Sequence, residues 1–308
     1  MHEIRLFCPA TVANVSCGFD VLGLALEDVG DELFLRRVQR PGVHIIGITG
    51  ADLPTEPERN AAGIVAQLML RDAGVDWGIE MEIHKKIKPG SGLGSSAASA
   101  GGAAVGVNLL LDRHFDRHQM IRYAMEGEFV ACDARIADNV SPVVMGGFCL
   151  VRSYDPLDVV PLPVPEQLHL VLLHPQVELK TSESRAVLPG RVPLKTATRQ
   201  TGNLGGLIAG LYKNDYALIA RSLQDNLAEP FRAPLIPHFD AVRAAAMEAG
   251  ALGGGISGSG PSMFYLCQGA ERAAGVAGAM EQVFKPTGIP YKLYQTQVAR
   301  EGARSSIA

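Results

Sequence analysis

Pro89-Gly90-Ser91-Gly92-Leu93-Gly94-Ser95-Ser96-Ala97-Ala98-Ser99-Ala100-Gly101-Gly102-Ala103-Ala104 decides how the chain is read. The segment before it, Trp77 to Ile87, alternates apolar and polar residues as a half-buried strand does. Glycines at 90, 92 and 94 let backbone N–H groups turn inward and approach a ligand closely. The small apolar residues that follow predict a tightly packed helix over 95–111, and its first turn adds unpaired N–H donors and partial positive charge. Loop and helix together make a cradle for phosphate. The hydroxyls of Ser95 and Ser96 add two donors, or one donor and one metal ligand. No Gly-Lys-Ser/Thr is present, and serines follow where a dinucleotide motif needs a third spaced glycine. A bare Gly-x-Gly-x-Gly is equally a plain turn; the longer string favours phosphate.

The 308 residues suggest one large domain or two of ordinary size. The chain is 47% hydrophobic and 19% charged, enough for a substantial core. A net charge of -4 without a basic block argues against nucleic acid as a partner. The five cysteines form no Cys-x-x-Cys, which fits buried thiols in a reducing compartment. The histidines are scattered without zinc spacing. The first residues lack the apolar core of a signal peptide, and the run Ala97 to Leu111 is too short and glycine-rich for a membrane span. A cytoplasmic enzyme is expected.

Residues 3–8 read as an edge strand ending at Pro9, and 31–38 and 43–48 as further strands. The stretch Ala10 to Asp20 reads as a turn capped by Asn14 or Asp20. Apolar residues at 61, 64, 65, 68 and 69 predict a helix with Asn60 at its N-cap. A second helix is expected at about 117–130, with Glu126 and Glu128 near its end. The adjacent Asp138-Asn139, shortly before Pro142, have the texture of a turn. In the second half a strand at 168–174 is followed by helices at 203–213, 215–227 and 238–249. Strands near 251–256 and 262–267, a helix at 270–284 and a strand at 291–297 complete the pattern. The last helix puts Ala273, Val276, Ala277, Met280, Val283 and Phe284 on one face. With the helical insertions taken as one crossover, the order is β-α-β-β-α-β, a ferredoxin-like arrangement. Gly253-Gly254-Gly255-Ile256-Ser257-Gly258-Ser259-Gly260-Pro261-Ser262 is too glycine-rich for a mere hairpin. The proline-rich stretch Pro156 to Pro165 marks the boundary, dividing the chain into 1–160 and 161–308.

Three of these stretches, in order, resemble the motifs of the GHMP small-molecule kinases, and most closely those of the homoserine kinases. The resemblance runs from Ile4 to about Pro261. Gly92-Leu93-Gly94-Ser95-Ser96 is similar to the family's phosphate loop, although Pro89 stands one residue nearer to Gly92 than is usual. The first motif corresponds to Ala13-Asn14 and Gly18-Phe19-Asp20, and the third to Ser257-Gly258-Ser259-Gly260-Pro261-Ser262. The resemblance implies an α+β fold of two domains, the first like ribosomal protein S5 domain 2 and the second ferredoxin-like, with ATP between them. It implies ATP contacts at Pro89, Gly90, Ser91, Gly92, Leu93, Gly94, Ser95, Ser96, Ser257, Gly258, Ser259 and Gly260. Asn60 reads equally as a helix cap or as a neighbour of the adenine. Mg2+ falls to Ser96 and Glu128, a hydroxyl and a carboxylate suited to a hard cation.

For the substrate, the resemblance implies Asn14, Asp20, Asn139, Arg185 and Arg232. Asp20 would receive an ammonium and the two arginines a carboxylate. Thr181 would stand near the reacting hydroxyl. Ile136 replaces the family's usual histidine and cannot hydrogen-bond a substrate. Mevalonate kinase-like relatives carry an aspartate base at the position that is Asn139 here. Asp138, one residue earlier, is expected to point elsewhere, so no carboxylate takes the proton directly. The implied reaction is Mg2+- and ATP-dependent phosphorylation of L-homoserine, by a chain that is often dimeric in this family. A kinase for mevalonate or an isoprenoid precursor is the rival enzyme; it would leave Asp20 without an ammonium. A nucleotide sensor without turnover is the other rival; it would have no use for both Ser96 and Glu128.

Overall fold

The computed structural model describes residues 2–305. The first half runs β1 (Glu3–Ala13), β2 (Leu22–Val38), β3 (Gly42–Thr49), α1 (Ala61–Ala73), β4 (Gly78–His84), α2 (Ser95–Leu110), α3 (Arg117–Cys132), α4 (Ala137–Met145), β5 (Phe148–Tyr154) and β6 (Leu157–Leu162). The second half runs β7 (Leu168–Pro175), α5 (Thr181–Ala186), α6 (Leu194–Lys213), α7 (Tyr216–Ser222), α8 (Glu229–Arg232), α9 (Phe239–Glu248), β8 (Gly253–Ile256), β9 (Met263–Gln268), α10 (Ala270–Phe284), β10 (Tyr291–Gln297) and β11 (Arg304–Ser305).

The first sheet has the order β11-β1-β2-β4-β3, with the β5–β6 hairpin joined to β2. Only β3 and β4 are parallel; the other pairs are antiparallel. Helix α2 is buried almost all round, against the sheet and neighbouring helices. Its small residues permit this. A Cβ at Gly102 would lie 2.2 Å from Cys8 Sγ, and one at Gly106 would lie 2.2 Å from Leu35 Cδ1. The second sheet has the order β10-β7-β9-β8, all antiparallel, covered by α9 and α10. In chain order its strands are arranged 4-1-3-2, the ferredoxin-like order expected. On α10, Ala273, Val276, Ala277, Met280 and Phe284 are buried as the spacing predicts, while Val283 is only partly covered.

Several local expectations are corrected. Strand β1 does not stop at Pro9 and is not an edge: it continues to Ala13 between β2 and β11, and its register shifts between Pro9 and Thr11. A bulge tolerates the missing N–H of proline. Residues 137–145 form a helix despite Pro142, so Asp138 and Asn139 sit on its first turn. The expected boundary stretch is mostly the β5–β6 hairpin, so 160/161 falls within a strand of the first sheet. The change of sheet lies between Leu162 and Leu168, and β11 then returns the chain to β1. Helix α6 begins at Leu194, and the helix expected over 215–227 ends at Ser222. All five cysteines are unpaired and four are buried. Among the described residues no helix is long and apolar enough to cross a membrane.

Alanine is the better helix former than glycine by about 1 kcal/mol. At Gly102 the crowding by Cys8 and Leu33 should outweigh that gain. Thermal unfolding of Gly102→Ala is therefore expected to show a lower Tm than the parent, and a higher Tm would mean that α2 and the sheet are not in close contact there.

Candidate active site

The inward face of β4 carries Ile79, Met81 and Ile83, and the same period of two takes Lys85 inward as well. Its ammonium forms an ion pair with Asp31 on β2, with both side chains 1% exposed. The same ammonium donates to the Ser95 carbonyl at 2.7 Å and to Ser99 Oγ at 3.0 Å. Asp31 Oδ1 accepts the N–H groups of Lys86 and Ile87 at 2.7 and 2.9 Å. The pair thus grips the start of the phosphate loop and the first turn of α2 together. Between these points the chain turns through Gly92 and Gly94, with φ of +78° and +64°. A Cβ at Gly94 would lie 1.9 Å from Thr11 Oγ1, so the position takes no side chain. Helix α2 has no side-chain cap at its N-terminus, which leaves its first N–H groups available to an anion.

The glycine-rich turn of the second sheet closes against this loop. Ser257 Oγ donates to the Gly92 carbonyl at 2.6 Å and Ser262 Oγ to the Ser91 carbonyl at 2.6 Å. The loop after β1 joins through Asn14 Nδ2, which donates to the Gly258 carbonyl at 2.9 Å, and Arg232 Nη1 donates to the same oxygen at 2.9 Å. Three segments distant in sequence therefore meet around one cavity of about 370 Å³.

Asn14, Asp20, Asn60, Pro89, Gly90, Ser91, Gly92, Gly94, Ser95, Ser96, Glu128, Asn139, Thr181, Arg185, Arg232, Gly258 and Ser259 line that cavity. Leu93, Ser257 and Gly260 stand behind it. Leu93 is buried and its carbonyl accepts the Thr11 N–H at 3.1 Å. The Ser95 hydroxyl turns away, donating to the Ile87 carbonyl at 3.0 Å. Asn60 is a cap: its Oδ1 accepts from Ala62 and Gly63, and its Nδ2 donates to the Pro54 carbonyl. Its side chain reaches the cavity as wall with both polar ends already engaged.

Glu128 is 5% exposed and its Oε1 has no partner. Burial pushes its carboxyl up to about 7, against the lowering effects of a Ser96 hydrogen bond and the Lys85 charge. An orphaned carboxylate oxygen beside a hydroxyl is a fitting start for a hard cation, which completes its shell with phosphate and water. Asp138 also lines the cavity, which corrects the expectation that its side chain points elsewhere. The reason is its helix: Asp138 and Asn139 occupy the first turn of α4, and that end of α4 faces the cavity. Burial, then the charges of Asp20 and Glu128, push Asp138 up to about 8. Asn139 Oδ1 accepts from Thr11 Oγ1 at 2.6 Å, and its Nδ2 donates one hydrogen to Asp138 Oδ1 at 3.4 Å, which leaves the second amide hydrogen for a ligand.

Asp20 and Arg185 pair with each other, Nη1 to Oδ2 and Nη2 to Oδ1, both at 3.2 Å. Arg232 is buried; its Nε donates to the Ser184 carbonyl at 3.0 Å and its guanidinium lies over the Phe19 ring at 5.3 Å. Sequence reasoning missed Lys85, Asp31, Thr11 and the inward placement of Asp138. The signal for Lys85 was available, because it continues the inward phase of β4.

Family comparison agrees with this geometry. The profile of the GHMP kinases N terminal domain matches residues 60–147, and that of the GHMP kinases C terminal region matches residues 207–286. A homoserine kinase of Chlorobium phaeobacteroides is 44% identical, covering 99% of both chains. A homoserine kinase of Xylella fastidiosa is 40% identical, covering 98% of this chain and 94% of its own. The crystal structure of homoserine kinase from Cytophaga hutchinsonii superposes with a TM-score of 0.95 at 48% identity, covering 99% of this chain and 97% of that one.

Asp138, Glu128 and Glu229 are pushed up to about 8, 7 and 7 from ordinary values of 3.8, 4.5 and 4.5, so the folded protein holds protons that the unfolded chain has released. Stability of the ligand-free protein should therefore fall as pH rises from about 4.5, where the unfolded carboxyls have released their protons, to about 8, where the folded ones have. Between about pH 4 and 6.5 His174, pushed down to about 4, works in the opposite direction, with one proton against the three carboxyls. Denaturant unfolding across this range checks the slope. Asp138→Asn should flatten it, and an equally steep slope in that variant would place the titration elsewhere.

Proposed function

The chain belongs to the GHMP kinases, and we propose how its residues divide the work of a homoserine kinase. The activity is transfer of the γ-phosphate of ATP to the hydroxyl of L-homoserine, giving O-phospho-L-homoserine and ADP on the way to threonine. The observation that supports the substrate assignment most directly is the Asp20–Arg185 pair at the cavity wall. An amino acid carries both partners that these side chains need, a carboxylate for Arg185 and an ammonium for Asp20. The pair is 33% and 43% exposed, and such pairs are worth only about 0–1 kcal/mol. Opening it to admit the zwitterion therefore costs little.

Toward ATP, the loop Gly90 to Ser96 and the uncapped start of α2 receive the phosphates. Leu53, Pro54 and Ala61 offer an apolar wall to the base. Ser96 and Glu128 would hold Mg2+, which would supply charge neutralisation at the transferring phosphate. Asn139 Nδ2 donates to the substrate hydroxyl oxygen and orients it, while Thr181, whose Oγ1 is 3.4 Å from Ser259 Oγ, stands at the other side. Arg232 also lines the cavity and shares the homoserine carboxylate with Arg185, while its bonds to the Ser184 and Gly258 carbonyls hold α5 to the glycine turn. Burial raises the Asp138 carboxyl toward about 8 and so disfavours its charged form in the ligand-free site. The hydroxyl proton passes to the γ-phosphate, as a loose transition state with little early proton removal permits.

Arg185→Ala should raise KM for homoserine by about 10- to 100-fold, the range for a hydrogen bond to a charged group. The amino alcohol lacking the carboxylate should be nearly indifferent to that change, and equal losses with both acceptors would mean that Arg185 serves the phosphates. Asp138→Asn is expected to lower kcat by less than about tenfold. A drop of about 10³ or more, with homoserine affinity and fold retained, would identify Asp138 as the base.

A further inference from the structure

Tyr154 ends β5 at the tip of the β5–β6 hairpin, outside the cavity and 42% exposed. Its ring has the setting of an ordinary surface aromatic, but its hydroxyl does not. That oxygen donates to the Asp20 carbonyl at 3.0 Å and accepts the Ala137 N–H at 3.3 Å. The two partners belong to the two segments that face the substrate end of the site. Ala137 is the first residue of α4, and its N-cap, Ile136, has no side-chain oxygen to satisfy the N–H groups of the first turn. Asp20 is held with φ +57°, a conformation most side chains avoid, and its own N–H is taken by Asn14 Oδ1 at 3.0 Å. A left-handed residue at the end of a loop keeps such a conformation only when its neighbours constrain it.

We propose that Tyr154 is a positioning residue for the amino-acid end of the site: its hydroxyl stands in for the missing N-cap of α4 and fixes Asp20 relative to Asp138 and Asn139. A hydroxyl suits this because one oxygen donates and accepts at once. The bridge sets the distance between the group that meets the ammonium and the amide that meets the hydroxyl. It touches neither substrate. The inference rests on the assignment of that end of the cavity to homoserine.

Tyr154→Phe removes the oxygen and keeps the ring, so packing at the hairpin is preserved. With homoserine and Mg-ATP varied in turn, KM for homoserine should rise about tenfold, the equivalent of one or two ordinary hydrogen bonds. KM for ATP should change by less than about twofold, because the phosphate loop is anchored separately through Asp31 and Lys85. An unchanged KM for homoserine would overturn the inference. So would a joint rise of both KM values with a loss of Tm, which would mark a general structural role. If the parent protein does not turn over homoserine at all, it is the functional reading that fails.

Discussion

The buried ion pair of Lys85 and Asp31 is the constraint from which the rest of the site follows. Removing one partner of such a pair typically costs about 3–5 kcal/mol, because the other charge is left uncompensated. Here the pair also carries hydrogen bonds to both ends of the phosphate loop, so its geometry is the loop's geometry. The loop in turn presents the Ser91 and Gly92 carbonyls to Ser262 and Ser257 of the other sheet. A charge pair inside the first sheet is thereby linked, through the loop, to the contact with the second sheet.

Charged side chains of both signs line the cavity. Three carboxylates, Asp20, Glu128 and Asp138, face it, and burial raises the last two well above their ordinary values. Lys85 is consumed by Asp31 and by α2, so its influence on Glu128 is through charge alone. Arg185 is spent on Asp20, and Arg232 on two carbonyls. Arg59 also lines the cavity, at the end that carries Leu53 and Asn60.

The parts of this arrangement that are local in sequence were legible there. The glycine loop, the strand before it, the α10 face and the ferredoxin-like order all follow from periodicity and turn chemistry. The failures share one cause, tertiary contact overriding a local rule. Pro142 and the adjacent Asp138-Asn139 read as a turn, yet Gly23 brings β2 so close to α4 that a Cβ there would lie 1.7 Å from the Asp138 carbonyl oxygen. The prolines at 156 and 161 looked like a linker, but Pro161 pairs with Cys149 on an outer strand of the first sheet. Tyr154 could not be singled out, since nothing in its neighbours reveals a partner 134 positions away at Asp20. Asp138 was misplaced because its orientation depends on a helix that the proline concealed.

The central claim is that one cavity joins an ATP-binding loop to a pocket shaped for an amino acid with a terminal hydroxyl. Release of ADP from Mg-ATP, measured over homoserine, mevalonate and simple amino alcohols at matched concentration, tests it directly. The account predicts that kcat/KM is highest for L-homoserine and falls when either the ammonium or the carboxylate is removed. A higher kcat/KM for mevalonate, or ADP release indifferent to the ammonium, would contradict it.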